Sequence, residues 1–148
     1  MLLSALLLVA TGNDQNLSSN GDPVNSCEVI DMANSTTSCS NLPIYPQTLK
    51  QAAGQVLDST PIIIGGHSSS GYHDQVYKFD YLSNSWQQLG SLVKPRSMHA
   101  SVIMNGGIWI IGGYNSPGTS TEIIYSNGTI TAGKVPCKKS CWKLKRYV

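Results

Sequence analysis

Sliding the chain against itself by 47 residues, without a gap, lays Ile62-Ile63-Ile64-Gly65-Gly66 on Trp109-Ile110-Ile111-Gly112-Gly113. The same offset sets Ala53 on Ala100, Val56-Leu57 on Ile103-Met104, Asp58 on Asn105, Val76-Tyr77 on Ile123-Ile124 and Leu42 on Leu89. A repeat constrains a short chain more than any other feature, because its units share the same apolar faces and can bury them only against one another. Gly, Asn and Ser interrupt every stretch that could make a helix. A period of this length with short apolar runs is what propeller blades produce, so the expected fold class is all-β.

Each unit can be read in order. "HASVIM" (99–104) and "IWIIGG" (108–113) flank Asn105-Gly106-Gly107, and Asn-Gly is the preferred chemistry for a tight hairpin turn with positive φ. These two runs are expected to pair as the inner strands of a blade, covered on both faces because they are almost continuously apolar. "QVYKFD" (75–80) alternates instead, which fits a strand nearer the outside. Gly112-Gly113 end their strand where φ turns positive or a side chain would crowd the backbone. Polar loops (67–74 and 114–121) follow each Gly-Gly pair, and a turn at Leu82-Ser83-Asn84-Ser85 leads to a fourth strand from Trp86.

Gly65-Gly66, Tyr77 and Asp80 ahead of Asn84-x-Trp86, then Leu89, then Pro95-Arg96-Ser97-x-His99 leading to Gly112-Gly113, resemble the kelch repeats over about residues 27–136. The resemblance implies four-stranded blades of a β-propeller, blade-to-blade packing by Trp86, a tethering role for Arg96 and a structural one for His99. The pattern departs at both ends. Residues 27–43 look like the outer two strands of a preceding blade, with Asp31 in the role of Asp80 and Cys39 where Trp86 stands. Residues 122–136 turn at Asn127-Gly128 and carry Gly133 where a tryptophan is expected, so the last outer pair should be short. The expected architecture is a partial kelch-type β-propeller of about two and a half four-stranded blades: half a blade at 27–49, and blades at 50–94 and 95–136. Closed propellers typically have four to eight blades, so a truncated propeller of this size is expected to cover its open blade faces with a partner or by self-association.

The N-terminal run "LLSALLLVA" (2–10) has the length of a signal-peptide core and precedes Ala10-Thr11-Gly12, which would suit cleavage. Residues 1–12 are therefore expected to be a signal peptide, 13–26 a disordered linker, and the protein secreted and extracellular. No stretch has the roughly 20 apolar residues of a membrane anchor. Asn16, Asn34 and Asn127 head glycosylation triplets, and the four cysteines form two pairs in sequence, Cys27 with Cys39 and Cys137 with Cys141. An even count in a secreted chain points to disulfides; three connectivities are open, and a Cys27–Cys39 bridge across a hairpin is favoured. Zinc is disfavoured, since "CKKSC" lacks the C-x₂-C spacing and no His lies near.

The 148 residues carry a net charge of +2, too mild to imply nucleic acid. Six of the ten basic residues lie at 134–146, mostly in the Cys-containing basic tail (137–148), which is expected to be a solvated end rather than a polyanion site. His67, His73 and His99 with Tyr72 and Tyr77 could suggest a copper site, since galactose oxidase carries a similar propeller, but no two histidines stand at i, i+2. Asp74, Asp80 and Glu122 are isolated carboxylates, and Ser68-Ser69-Ser70-Gly71 is followed by no Lys or helix. The chain is expected to be no enzyme and to need no cofactor or metal. The loops after the Gly-Gly pairs carry Tyr72, His73, Tyr114 and Asn115, residues suited to adaptable contacts. The reading is a non-catalytic protein-interaction module with an unidentified protein partner; the alternative is a glycan-binding or vestigial galactose-oxidase-like propeller fragment.

Overall fold

The computed structural model describes residues 6–10, 27–31, 39–115 and 120–133, and every regular element among them is a β-strand. In chain order these are β1 (Leu6–Ala10), β2 (Cys27–Asp31), β3 (Cys39–Leu42), β4 (Ala53–Leu57), β5 (Thr60–Ile64), β6 (His67–Ser68), β7 (Gly71–Tyr72), β8 (Gln75–Asp80), β9 (Ser85–Ser91), β10 (Ala100–Met104), β11 (Gly107–Ile111), β12 (Thr121–Tyr125) and β13 (Ile130–Ala132). They form three antiparallel sheets ordered β1-β2-β3, β4-β5-β8-β9 and β10-β11-β12-β13, with β6-β7 as a separate hairpin. The last is a difference from expectation: 67–74 is no featureless loop, because His67 pairs with Tyr72 and Ser68 with Gly71.

The repeat holds residue for residue through the inner hairpins. Leu57 faces Thr60 and Met104 faces Gly107 across two-residue turns, whose central residues Asp58, Ser59, Asn105 and Gly106 all have positive φ. That is the backbone a right-twisted hairpin requires, and Asn-Gly adopts it at little cost. Beyond this point the gapless offset gives way. Ile63 pairs with Tyr77, but Ile110 pairs with Glu122, so Glu122 rather than Ile124 occupies the place of Tyr77. Phe79 pairs with Trp86, whereas Ile124 pairs with Ile130, so Ile130 stands in the place of Trp86 and Gly133 does not. Loops and outer turns can change length without disturbing a blade; a slip within a strand would turn its apolar set to the wrong face. In β9 the slack is taken up by a bulge: Val76 faces Gly90 and Tyr77 faces Gln88, leaving Leu89 as the extra residue.

The first sheet extends beyond residues 27–49. Leu6–Ala10, expected from hydropathy to be the core of a leader, is β1 and pairs along its whole length with β2. Its register matches β5: Ala10 faces Cys27 as Ile64 faces Val76, so Ala10-Thr11-Gly12 align in sequence with Ile64-Gly65-Gly66. The half blade at 27–49 thus becomes three quarters of one. The same register bears on the expected Cys27–Cys39 disulfide. Cys27 pairs with Leu42 and Cys39 with Ile30, which sets the two cysteines three residues apart along the hairpin. At ~3.4 Å per residue the offset is ~10 Å, beyond the ~7 Å Cα separation a disulfide can bridge. Asn16, Asn34, Cys137, Cys141, the 13–26 linker and the 137–148 tail lie outside the described residues.

Two apolar layers hold the sheets in series. Tyr45, Leu49, Ile63, Phe79 and Trp86 pack between the first and second sheets, joined by Leu42, Ala52 and Tyr77. Leu57, Ile62, Ile64, Val76, Leu92, Ile108, Ile110 and Ile124 pack between the second and third, with Ala53, Leu89 and Ile130 against them. Successive residues of β5 serve both layers, which is why Ile62-Ile63-Ile64 has no polar member and is buried throughout. The innermost strands are not covered on both faces as expected. β4 is half-buried and β10 largely exposed, because burial is greatest one strand further out, at β5 and β11.

Candidate functional site

The turns after β5 and β11 define one rim of the molecule, and a single buried cation fixes it. Arg96, wholly buried, donates from Nη1 to the carbonyls of Gly112 (2.9 Å) and Ser120 (3.0 Å) and from Nη2 to Ser120 Oγ (2.9 Å) and the Glu122 carboxylate. Glu122, 2% exposed, accepts the Val93 amide on its other oxygen at 2.7 Å. The linker from β9 to β10 is thereby clamped to its own blade. Burial pulls the guanidinium pKa below its usual value and the adjacent carboxylate opposes that pull, so the side chain stays a cation. The Arg96 carbonyl meanwhile accepts the Gly66 amide of the preceding blade at 2.9 Å. This requires Gly65 beside it: φ is +56°, and a Cβ there would lie 2.6 Å from the Arg96 oxygen. Gly113 repeats the arrangement, with φ +105° and a Cβ site 2.8 Å from the Ser97 oxygen. Buried His99 sits between the two turns, its ring edge toward Gly65 and its Cβ toward Gly113.

On this frame the structure separates the four residues expected to bind. Backbone bridges pair Lys50 with His67 and Ser97 with Tyr114, so His67 and Tyr114 are the same rim position in successive blades. Tyr72 lies between them, its ring edge-on to His67 at 4.7 Å and tilted against Tyr114 at 5.8 Å. Tyr114 is 62% exposed, and the result is an accessible aromatic row, His67–Tyr72–Tyr114. His73 is instead part of the frame: its Nε2 shares a 2.7 Å hydrogen bond with Ser68 Oγ, and its backbone joins Gly66 and Arg96. Asn115, exposed with φ +65°, donates to the Pro95 carbonyl at 3.3 Å and braces the second loop. His67 was legible as a loop histidine, but nothing in the sequence announces the β6-β7 pairing that sets it against Tyr72.

The remaining positions act in packing. Trp86 donates Nε1 to the Pro43 carbonyl at 2.9 Å and meets Tyr45 and Phe79 edge-on, joining its blade to the preceding one as the resemblance implied. Tyr77 packs edge-on to Tyr45 at 5.2 Å. Asp80 caps the outer turn, accepting from the Leu82 amide, Ser83 Oγ and Gln87 Nε2; the Ser83 bond, then the Leu82 amide, hold its carboxyl below the usual aspartate value. Among the described residues no three His, Cys, Asp or Glu side chains come together as metal ligands.

Comparison with known proteins agrees with this arrangement. The kelch motif matches residues 62–93 and 95–126. An F-box/kelch-repeat protein of Arabidopsis thaliana, SKIP30, is 29% identical over 40% of this chain and 17% of its own length. Alpha-scruin of Limulus polyphemus is 28% identical over 61% of this chain and 12% of its own. The chain therefore spans less than a fifth of these relatives. The solved structure of YjhT superposes with a TM-score of 0.67 at 14% identity, over 77% of this chain and 45% of that one. With two consecutive kelch motifs folded as four-stranded blades around the Gly-Gly, Arg96 and Trp86 positions, the fold of this chain is that of a partial kelch-type β-propeller.

Proposed function

We propose that the chain is a non-catalytic protein-binding module that presents the aromatic row His67–Tyr72–Tyr114 to a protein partner. The row itself is the observation that carries this reading: three rings in edge or tilted contact, the last of them mostly exposed, on a rim held rigid from beneath by Arg96 and the glycine turns. Tyrosine offers a large, amphipathic contact area with few torsions to freeze, which is why it is enriched where proteins meet. Kelch repeats in SKIP30 and scruin support a protein partner in kind. Extracellular residence is proposed on one described feature only: Asn127 is exposed at the β12-β13 turn, where a glycan could be attached.

The double substitution Tyr72→Ala/Tyr114→Ala removes the row while leaving the buried frame intact. Comparative affinity capture with the intact chain and this variant should show specific partners lost with the two rings. Partners retained at full strength would refute the reading. Binding to immobilised oligosaccharides that depends on the same tyrosines would favour the glycan-binding alternative, since stacked rings also suit sugar faces.

A further inference from the structure

We propose that Asn105 is a site of spontaneous covalent modification, at which the Gly106 nitrogen displaces the side-chain amide to leave aspartate and isoaspartate, while the fold protects the second Asn-Gly turn at Asn127. Asn105-Gly106 joins β10 to β11 and Asn127-Gly128 joins β12 to β13, and both asparagines are exposed. A following glycine leaves the amide nitrogen unhindered and the backbone free to rotate, which makes such an asparagine thermolabile. By sequence the two sites are equal. Their surroundings separate them.

The chemistry needs only water. The Gly106 amide nitrogen, its proton lost to solvent, bonds to the side-chain carbonyl carbon Cγ of Asn105; the Cγ–Nδ2 bond breaks and Nδ2 leaves as ammonia, taking up a proton from solvent. Water then opens the cyclic imide at one of its two carbonyls. Cleavage between nitrogen and Cγ restores the main chain with aspartate. Cleavage between nitrogen and the main-chain carbonyl carbon leaves the chain running through Cβ, as isoaspartate. Amide and water are consumed, carboxylic acid and ammonia are produced, and nothing is oxidised or reduced.

Ring closure requires the glycine nitrogen to swing out of its turn toward Cγ. At Asn127 the Gly128 amide donates to the Tyr125 carbonyl at 3.0 Å and the Thr129 amide donates to Asn127 Oδ1 at 2.9 Å, so both reacting groups are held. The turn is also seated against the second blade, since a Cβ on Gly128 would lie 2.7 Å from the Leu89 carbonyl oxygen. At Asn105, among the described residues, neither the carboxamide nor the Gly106 amide makes a hydrogen bond, and a Cβ on Gly106 would meet nothing within 4 Å. Two bonds must open at one site and none at the other, which at their usual net worth sets a rate ratio of ~10-fold or more.

The second blade shows what each product does. Asp58 stands at the place of Asn105, with φ +48° against +53°, so aspartate at 105 keeps the two-residue turn. Isoaspartate adds a main-chain atom beside Met104↔Gly107, the pair that closes the hairpin, and loosens it. The site is at the opposite end of β11 from the aromatic row, so capture of a partner by Tyr72 and Tyr114 does not report on it.

The test is incubation of the full chain, made without glycan, in mildly alkaline heavy-oxygen water, followed by peptide mass spectrometry and enzymatic labelling of isoaspartate. Asn105 should convert at least ~10-fold faster than Asn127 in the folded chain, and the two rates should come within ~3-fold of each other in urea, where the protecting bonds are gone. Gly106→Ser copies Ser59 of the second blade, keeps the turn, and should slow conversion at least ~10-fold by hindering the attacking nitrogen. Equal or inverted rates in the folded chain, a ratio unchanged by urea, a Gly106→Ser chain that converts as fast, or aspartate formed without isoaspartate would each overturn the proposal.

Discussion

Replacing Arg96 by Leu tests the energetics of the rim most directly, because the molecule contains its own control. In the third blade Arg96 and Glu122 form a buried ion pair; at the equivalent places in the second blade Leu49 is fully buried and packs with Tyr77. Arg96→Leu leaves the Glu122 carboxylate with only the Val93 amide and removes the guanidinium donor from the Gly112 and Ser120 carbonyls, the latter keeping the Gly112 amide. Breaking a buried pair from one side costs about 3–5 kcal/mol. The bonds lost at the two carbonyls act in the same sense, although such losses are not additive. Against a typical domain stability of about 5–15 kcal/mol this is most of the reserve. Arg96→Leu/Glu122→Tyr rebuilds the second blade's apolar pair, still lacks the Arg96 bonds to Gly112 and Ser120 and the Val93 bond, but leaves no unpaired buried charge and should recover at least ~2 kcal/mol of the single-variant loss. Urea unfolding followed by tryptophan fluorescence measures both; at a slope of ~1.5 kcal/mol per molar, the single change should lower the midpoint by ~2–3 M. The reasoning fails if Arg96→Leu costs under ~1 kcal/mol, or if the double variant is as unstable as the two single changes combined.

Trp86→Ala should cost about 3–5 kcal/mol by emptying the layer between the first two sheets, while Trp86→Phe, which keeps most of the volume but not the bond to Pro43, should cost about 1–2, both by the same urea measurement. Asp80 has a lowered carboxyl pKa in the fold, so its contribution is present above the ordinary aspartate value and is lost as pH falls through the folded one; melting temperatures from pH 6 to 2 should fall more steeply for the intact chain than for Asp80→Asn. Mass spectrometry after thiol alkylation should find Cys27 and Cys39 unlinked to each other, and a peptide joining them would show that the β2-β3 register is wrong. Deleting residues 6–10 should broaden or abolish cooperative unfolding, whereas an unchanged transition would mean that β1 adds nothing to the first sheet.

Much of the molecule was legible in the chain because repetition reveals itself without any partner. The Ile62–Gly66 and Trp109–Gly113 alignment, the Asn105-Gly106 turn, and the alternation of 75–80 all follow from local chemistry, and each stands in the structure as a strand, a two-residue turn or a half-buried face. What stayed hidden in the chain is not local. "LLSALLLVA" has the hydropathy of a leader, and only its pairing with β2 marks it as a strand of the same kind as β5. A gapless offset carried past Gly113 cannot detect that the rim loop shortens by two residues, so it missed Glu122 as the equivalent of Tyr77 and Ile130 as the equivalent of Trp86. Of the rim, Tyr72 and Tyr114 were visible as aromatics after the Gly-Gly pairs, while the hydrogen bonds of His73 and Asn115 within the loops were not.

By itself the sequence determined the unit: its period, its strand-forming runs and the glycines its turns demand, since these depend on contacts within about ten residues. Only the tertiary structure decided how units match one another. Whether an acid at one blade's Glu122 position is met by arginine, and which rings gather on the rim, depends on residues that lie far apart along the chain and become neighbours only when sheet packs on sheet.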